Sequence, residues 1–209
     1  MVKFAKNQKI CYYGRTAHIA QLVEHPTDTR KVLGSNPSVR TRNMVSLRKF
    51  SLVDGEAERE FLLSFPVKEN GFGRPGDDLD LNVEENFTKL IKDHLDRENG
   101  INLKKDYVPQ TTFWILSDGE LAGIGKVRHY LNDVLRKESS SIGMGLAPQF
   151  RGRGVGTEAL KLLIEFARSW GQDKILLTND EDNWASRKIV EKNGGILEKV
   201  ENGTSFYWI

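Results

Sequence analysis

The chain has 209 residues, 38% of them hydrophobic and 29% charged, with a formal net charge of +2. This composition suits one soluble globular domain with a sizeable core; no apolar run approaches the roughly 18 residues of a membrane span, and the charge gives no reason to expect nucleic acid. A single cysteine, Cys11, excludes a disulfide framework and a cysteine zinc site, and His18, His25, His94 and His129 lack metal-ligand spacing, so a cytoplasmic protein without a metal is expected.

Charge is distributed unevenly. Residues 1–43 carry eight Lys or Arg against two Asp or Glu, whereas residues 44–209 carry 23 against 27. The first part also lacks the layout of a secretory signal. Its stretches Ile19-Ala20-Gln21-Leu22-Val23-Glu24-His25 and Gly34-Ser35-Asn36-Pro37 resemble the translated D-arm and T-loop of a transfer-RNA gene. The expected division is therefore a basic extension, 1–43, and a working domain, 44–209, with Met44 as the native start; a disordered or nucleic-acid-binding arm is the other reading of the same residues.

From Met44 the pattern is regular. Residues 46–53 alternate apolar and polar and predict a strand. Asp54 is placed to cap a helix carrying Phe61, Leu62 and Leu63 that stops at Pro66. Residues 71–80, rich in Gly and Asp, predict a loop, after which Asn82 caps a helix with Val83, Phe87, Leu90, Ile91 and Leu95 at helical spacing. Residues 110–116 and 120–130 predict strands joined at Ser117-Asp118-Gly119, and 139–147 a further strand. A helix over 157–169 presents Ala159, Leu160, Leu163, Ile164, Phe166 and Ala167 on one face. Then come a buried strand over 174–178, a helix over 183–192, and a final hairpin turning at Asn202-Gly203. The order β-α-α-β-β-β-α-β-α-β-β predicts a single mixed α/β domain.

Chemistry concentrates in Arg151-Gly152-Arg153-Gly154-Val155-Gly156-Thr157, between a strand and a helix. The first amides of a helix lack internal partners and carry partial positive charge, glycines remove the Cβ atoms in front of them, and arginines suit phosphate oxygens. The loop therefore predicts a diphosphate cradle. A Walker A loop fails, since no lysine precedes Thr157. Gly154-Val155-Gly156-Thr157-Glu158-Ala159 fits the looser dinucleotide fingerprint, with Asp180 ending the next strand at about the required 20 residues, but only one β-α-β unit surrounds it.

The same loop, with the Leu146-Ala147-Pro148 lead-in and the later segment from Asn183-Trp184-Ala185-Ser186 through Asn193-Gly194-Gly195, resembles the GNAT superfamily of acyl-CoA-dependent N-acetyltransferases, in a bacterial branch of predicted acetyltransferases. The resemblance runs over 44–209. It implies one α/β domain with a mixed, mostly antiparallel sheet and two splayed parallel central strands. It also implies acetyl-CoA as cosubstrate and direct attack by a primary amine of a small molecule or peptide. Leu146 and Ala147 are implied to offer backbone groups to the pantetheine arm, Arg151, Gly152, Arg153, Gly154, Val155, Gly156 and Thr157 to hold the diphosphate, and Asn183 and Ser186 to contact the far side of the arm. Asn183 equally reads as a helix N-cap.

One departure matters. The tyrosine that the family often uses to protonate the leaving thiolate falls at Val190, which has no proton to give. His129 and Asp180 are the candidate catalytic groups, each with a plainer reading as a strand-end or capping residue. A non-catalytic acyl-CoA-binding sensor and a nicotinamide-dependent oxidoreductase are the alternatives. Glu69, Asp77, Asp78, Asp80, Glu84 and Glu85 form an acidic set that suits a cationic acceptor or simply a solvated loop; Phe65, Phe72 and Trp114 read as pocket lining or core. The C-terminal strand is a candidate for pairing at a homodimer interface.

Overall fold

The computed structural model describes residues 44–209. The basic segment 1–43, with its transfer-RNA-gene resemblance, lies outside the described residues. The expected order of elements is present, with two additions. The chain runs β1 (Val45–Lys49), α1 (Glu56–Ser64), β2 (Lys68–Glu69), β3 (Phe72–Gly73), α2 (Glu84–Glu98), β4 (Gln110–Ser117), β5 (Glu120–Arg128), the single turn α3 (Leu135–Glu138) and β6 (Ile142–Leu146). It continues through a short 3-10 turn (Pro148–Phe150) into α4 (Val155–Ser169), β7 (Leu176–Asp180), α5 (Trp184–Lys192), β8 (Ile196–Glu201) and β9 (Thr204–Trp208). The small hairpin β2–β3 and the turn α3 are the additions. A strand of two residues is too short to show periodicity in sequence.

Three antiparallel sheets result, in the orders β1-β4-β5-β6, β2-β3 and β7-β9-β8. The two larger sheets meet where β6 and β7 begin: the Ser141 amide donates to the Leu176 carbonyl at 2.7 Å, and the Ser140 hydroxyl reaches the same carbonyl at 3.2 Å. Helix α4 carries the chain from the end of β6 back to the start of β7, so the two strands run the same way. Beyond their joined starts they part, which is the splay the resemblance implies.

Alternation along the strands divides the core between two faces. On one, Trp114 and Ile124 meet Phe61, Leu62 and Phe65 of the α1 region and Phe87, Leu90 and Ile91 of α2. On the other, Phe113, Val127 and Ile142 meet Leu160, Leu163, Ile164 and Ala167 of α4. Trp114 is fully buried and stacks on Phe50 at 4.2 Å, so it and Phe65 are core rather than pocket lining.

Local signals misplace several boundaries. Asp54 does not cap α1; Gly55 does, while the Asp54 carboxylate accepts from Trp114 Nε1 at 2.8 Å, from the Ser51 amide at 2.9 Å and from Arg48. Burying an indole N–H requires an acceptor, and that demand outweighs the capping role. Asn82 is likewise not a cap: α2 starts from Val83, and Asn82 donates to Asp80. The C-terminal strand is also not an edge. β9 lies between β7 and β8, paired on both sides, and the exposed strand beside it is β8.

Candidate active site

The glycines of the loop serve two different needs. Gly152 and Gly154 have φ of +72° and +84°, and a Cβ on either meets nothing within 4 Å. They turn the chain left-handed into open space, where side chains are strained and ligands are not obstructed. Gly156 is different: a Cβ there comes within 2.8 Å of Ile189 Cδ1 and 3.4 Å of Leu146 Cδ1, so this glycine seats α4 against α5 and β6.

Backbone hydrogen bonds engage some amides of the loop and leave others free. The Arg151 amide donates to Pro148, and the Thr157 and Glu158 amides donate to the Gly154 carbonyl. Among the described residues, the amides of 152–156 have no backbone acceptor. Five consecutive N–H groups at a helix N-terminus form a nest for phosphate oxygens. Arg153 is exposed beside them. The amides of Arg151 and Thr157 are engaged within the loop itself.

Strand alternation decides which residues of β6 face the splay. The Ala147 amide donates to Ala122 and its carbonyl accepts from Phe150, so Ala147 has no free backbone group to offer. In the β5–β6 register, Gly143 and Gly145 turn toward β5 and leave Met144 and Leu146 facing the splay. Adjacent residues of a strand cannot both face one edge; Met144, not Ala147, accompanies Leu146. The Leu146 carbonyl receives Arg151 Nε at 3.0 Å and Nη2 at 2.9 Å.

Across the splay, Asn183 caps α5: its Oδ1 accepts from the Ser186 amide at 3.1 Å. The Ser186 hydroxyl donates to Asn179 Oδ1, while Asn179 Nδ2 is shielded from solvent and without a partner. Sequence reading passed over Asn179, because a strand asparagine carries no local signature.

On the opposite face lies the hairpin β2–β3. Phe72 covers β6, where a Cβ on Gly145 would fall 2.7 Å from its ring, and Lys126 Nζ holds the Gly73 carbonyl at 2.8 Å while lying over the Phe72 ring. Burial, then Arg128 and Arg97, push Lys126 down to about 8. The hairpin turn reaches Asp180, whose two carboxylate oxygens lie 3.6 Å from where a Gly71 Cβ would stand. Asn179 and Asp180 thus point to opposite sides of β7, one toward α5 and one toward the hairpin. A polar cavity of about 430 Å³ lies behind the hairpin, lined by Gly73, Asp77, Asp78, His94, Arg97 and Lys126 among others.

The acidic set does not converge. Asp77 and Asp78 line that cavity, Glu69 is paired with Arg151, Asp80 receives Asn82, and Glu84 and Glu85 lie in the first turn of α2. His129 is elsewhere: it follows β5 at the end opposite Gly123, which pairs with Leu146, about 20 Å away at strand spacing. Its Nε2 meets the Thr111 hydroxyl at 2.9 Å and its ring stacks on Trp170 at 3.8 Å. Burial lowers its pKa. Of the two catalytic candidates, the structure brings Asp180 to the splay and keeps His129 away from it.

The family model for the acetyltransferase (GNAT) domain matches residues 80–196. The chain belongs to the GNAT acetyltransferase family. Its matched domain is an acetyltransferase domain. No curated protein sequence matches it. Among solved structures, the N-acetyltransferase PseH of Campylobacter jejuni, in complex with acetyl coenzyme A, shares 14% identity at a TM-score of 0.53, over 79% of this chain and 98% of that one. RimL, a ribosomal L7/L12 α-N-protein acetyltransferase in complex with coenzyme A, shares 20% at 0.58, over 82% and 96%. The spermidine/spermine N-acetyltransferase SpeG of Vibrio cholerae shares 16% at 0.52, over 79% and 94%. These likenesses establish the GNAT fold.

Within that family, Val190 is a buried residue of α5, packed where a Cβ on Gly195 would lie 2.4 Å from its Cγ1. The nearby Tyr207 hydroxyl is fully buried and committed to Arg187 and Glu191, so it does not replace the missing tyrosine. Among the described residues, no group of His, Cys, Asp and Glu is arranged to hold a metal ion, and no helix is long and apolar enough to cross a membrane.

Proposed function

We propose that this acetyltransferase acts on a primary amine of a small molecule or peptide by direct attack, with Asp180 receiving the amine's proton. The observation that carries the reading is the run of unpaired amides at 152–156, joined by Arg151 to the open edge of β6. Amides 152–156 hold the diphosphate, and the free edge at Met144 and Leu146 aligns the pantetheine arm as a neighbouring strand would. Asn183 and Ser186 border the arm from α5. Acetyl-CoA supplies an acetyl thioester. An N–H on the open edge of β6 stabilises charge developing on the thioester oxygen. The new N–C bond forms as the C–S bond breaks, the amine proton passes to Asp180, and the leaving thiolate takes its proton from water. His129 has no part in these steps.

The structural relatives named for a protein α-amine and for polyamines support the amine class without choosing between its members. The deciding experiment is calorimetry of the full chain with acetyl-CoA, CoA and NADH, followed by free-thiol release over a panel of amines. Acetyl-CoA binds and one amine class drives thiol release. Binding of NADH alone would overturn the reading. Buried Val190 favours a second one, a sensor that binds acyl-CoA without turnover; acetyl-CoA binding with no thiol release from any amine would establish it.

A further inference from the structure

We propose that Arg151 is a positioning residue that couples the donor groove to the acceptor-side hairpin, rather than a ligand of the diphosphate. The inference rests on the acetyl-CoA reading above. All but one of the N–H groups of Arg151 that a phosphate would use are already engaged, the second N–H of Nη1 being the exception. Its amide donates to Pro148. Its Nε and Nη2 donate to the Leu146 carbonyl at 3.0 and 2.9 Å, and Nη1 and Nη2 grip the Glu69 carboxylate at 2.8 and 2.6 Å. The hydrogen bond and charge of the guanidinium hold the Glu69 carboxyl below its ordinary range. A two-pronged Arg–carboxylate pair fixes direction as well as distance.

The two partners of Arg151 belong to different halves of the site. Leu146 ends β6 and faces the splay, where the pantetheine arm lies. Glu69 lies 82 residues before Arg151 in the chain, in β2, and its hairpin carries Phe72 over β6 and the Gly71 turn against Asp180. Lys126 fastens the other end of that hairpin at Gly73. An amide ligand entering the groove draws on the Leu146 carbonyl and so competes with Arg151 for it. The guanidinium is then left with Glu69 as its one side-chain partner, and its hold on the hairpin beside Asp180 is no longer shared with β6. Filling the donor groove and ordering the acceptor side become linked, and linkage of this kind is reciprocal.

Hydrogen exchange of the full chain tests this, with acetyl-CoA as the probe and with the Glu69→Gln and Arg151→Gln variants. In the unaltered chain, saturating acetyl-CoA slows exchange of amides 68–73 by roughly two- to fivefold, the range of an exposed ion pair. Both variants lose that protection, and Glu69→Gln weakens acetyl-CoA by the factor that the coupling contributes in the unaltered chain, as reciprocity requires. A merely structural ion pair would loosen the hairpin in both variants yet leave the ligand's effect intact. Protection that persists in Glu69→Gln overturns the proposal. So does a tenfold or greater loss of acetyl-CoA affinity in Arg151→Gln with none in Glu69→Gln, the signature of a direct phosphate contact. Failure of the unaltered chain to bind acetyl-CoA sinks the functional reading itself, whereas binding with an unresponsive hairpin sinks only the coupling.

Discussion

Replacing Gly154 with alanine separates the two jobs that the loop performs. Gly154 has φ of +84° and ψ of −8° at the N-cap of α4, and its Cβ would meet nothing within 4 Å. The folded protein therefore suffers no clash, only the cost of holding an L-residue in the left-handed region, about 1–2 kcal/mol. For a domain of this size each kcal/mol shifts Tm by roughly 2–4 °C, so scanning calorimetry should record a fall of about 2–8 °C. The added methyl enters the open space at the mouth of the nest, and acetyl-CoA affinity measured by titration calorimetry should fall about tenfold or more through lost charge-assisted hydrogen bonds. Gly156→Ala is the contrast. Its Cβ presses on the flexible end of Ile189 at 2.8 Å, and the helix-propensity gain of about 0.5–1 kcal/mol offsets that strain, leaving Tm close to wild type. An unchanged acetyl-CoA affinity in Gly154→Ala would refute the nest, and an unchanged Tm would refute its left-handed turn.

Asp180→Asn should lower kcat about 100-fold or more while acetyl-CoA affinity stays near wild type, because the base acts on the acceptor and not on the donor; full activity would remove Asp180 from the mechanism. His129→Ala should keep its turnover but lose about 1–3 kcal/mol of stability, since the buried Thr111 hydroxyl loses its partner; a large loss of kcat at unchanged stability would contradict this. His94 sits in the core against Thr112, and burial lowers its pKa from 6.5 to about 3. Below pH 6.5 the unfolded chain binds a proton that the folded chain refuses, so stability is retained above that pH and falls on acidification by up to about 1.4 kcal/mol per pH unit from this group. Melting curves between pH 7 and 5 should show a smaller loss in His94→Gln than in wild type; equal losses would show that other groups dominate. A chain beginning at Met44 should retain folding and acetyl transfer, as the described elements start at Val45; loss of activity with the fold intact would assign residues 1–43 a function.

Periodicity made α2, α4 and the hairpin β4–β5 legible, because each carries enough repeats of 3.6 or 2 to identify itself without neighbours. The caps were less readable. Asp54 and Asn82 are the residue types that cap helices, yet a buried indole N–H sixty residues away claims Asp54. No local rule describes that competition. The insertion of β9 between β7 and β8 was equally invisible, since hydrophobic alternation says which face of a strand is buried and not which strand lies beside it.

At the proposed site, the order of residues by itself determined a left-handed glycine turn that opens into a helix. Left-handed glycines and a following helix are consequences of short-range backbone geometry, and they make a nest wherever they fold. The tertiary structure decided which members of that motif are available. It packs Gly156 against Ile189, engages the amides of Arg151 and Thr157, turns Met144 rather than Ala147 to the open edge of β6, and sets Asp180 beside the hairpin turn but His129 at the far end of β5. The amides of Arg151 and Thr157 are taken locally, by Pro148 and Gly154; the other outcomes depend on a partner distant in the chain: Ile189 for Gly156, Ala122 for Ala147, Gly71 for Asp180, Thr111 for His129. A hydrogen-bonding group has limited capacity, and only the folded neighbours reveal who has taken it.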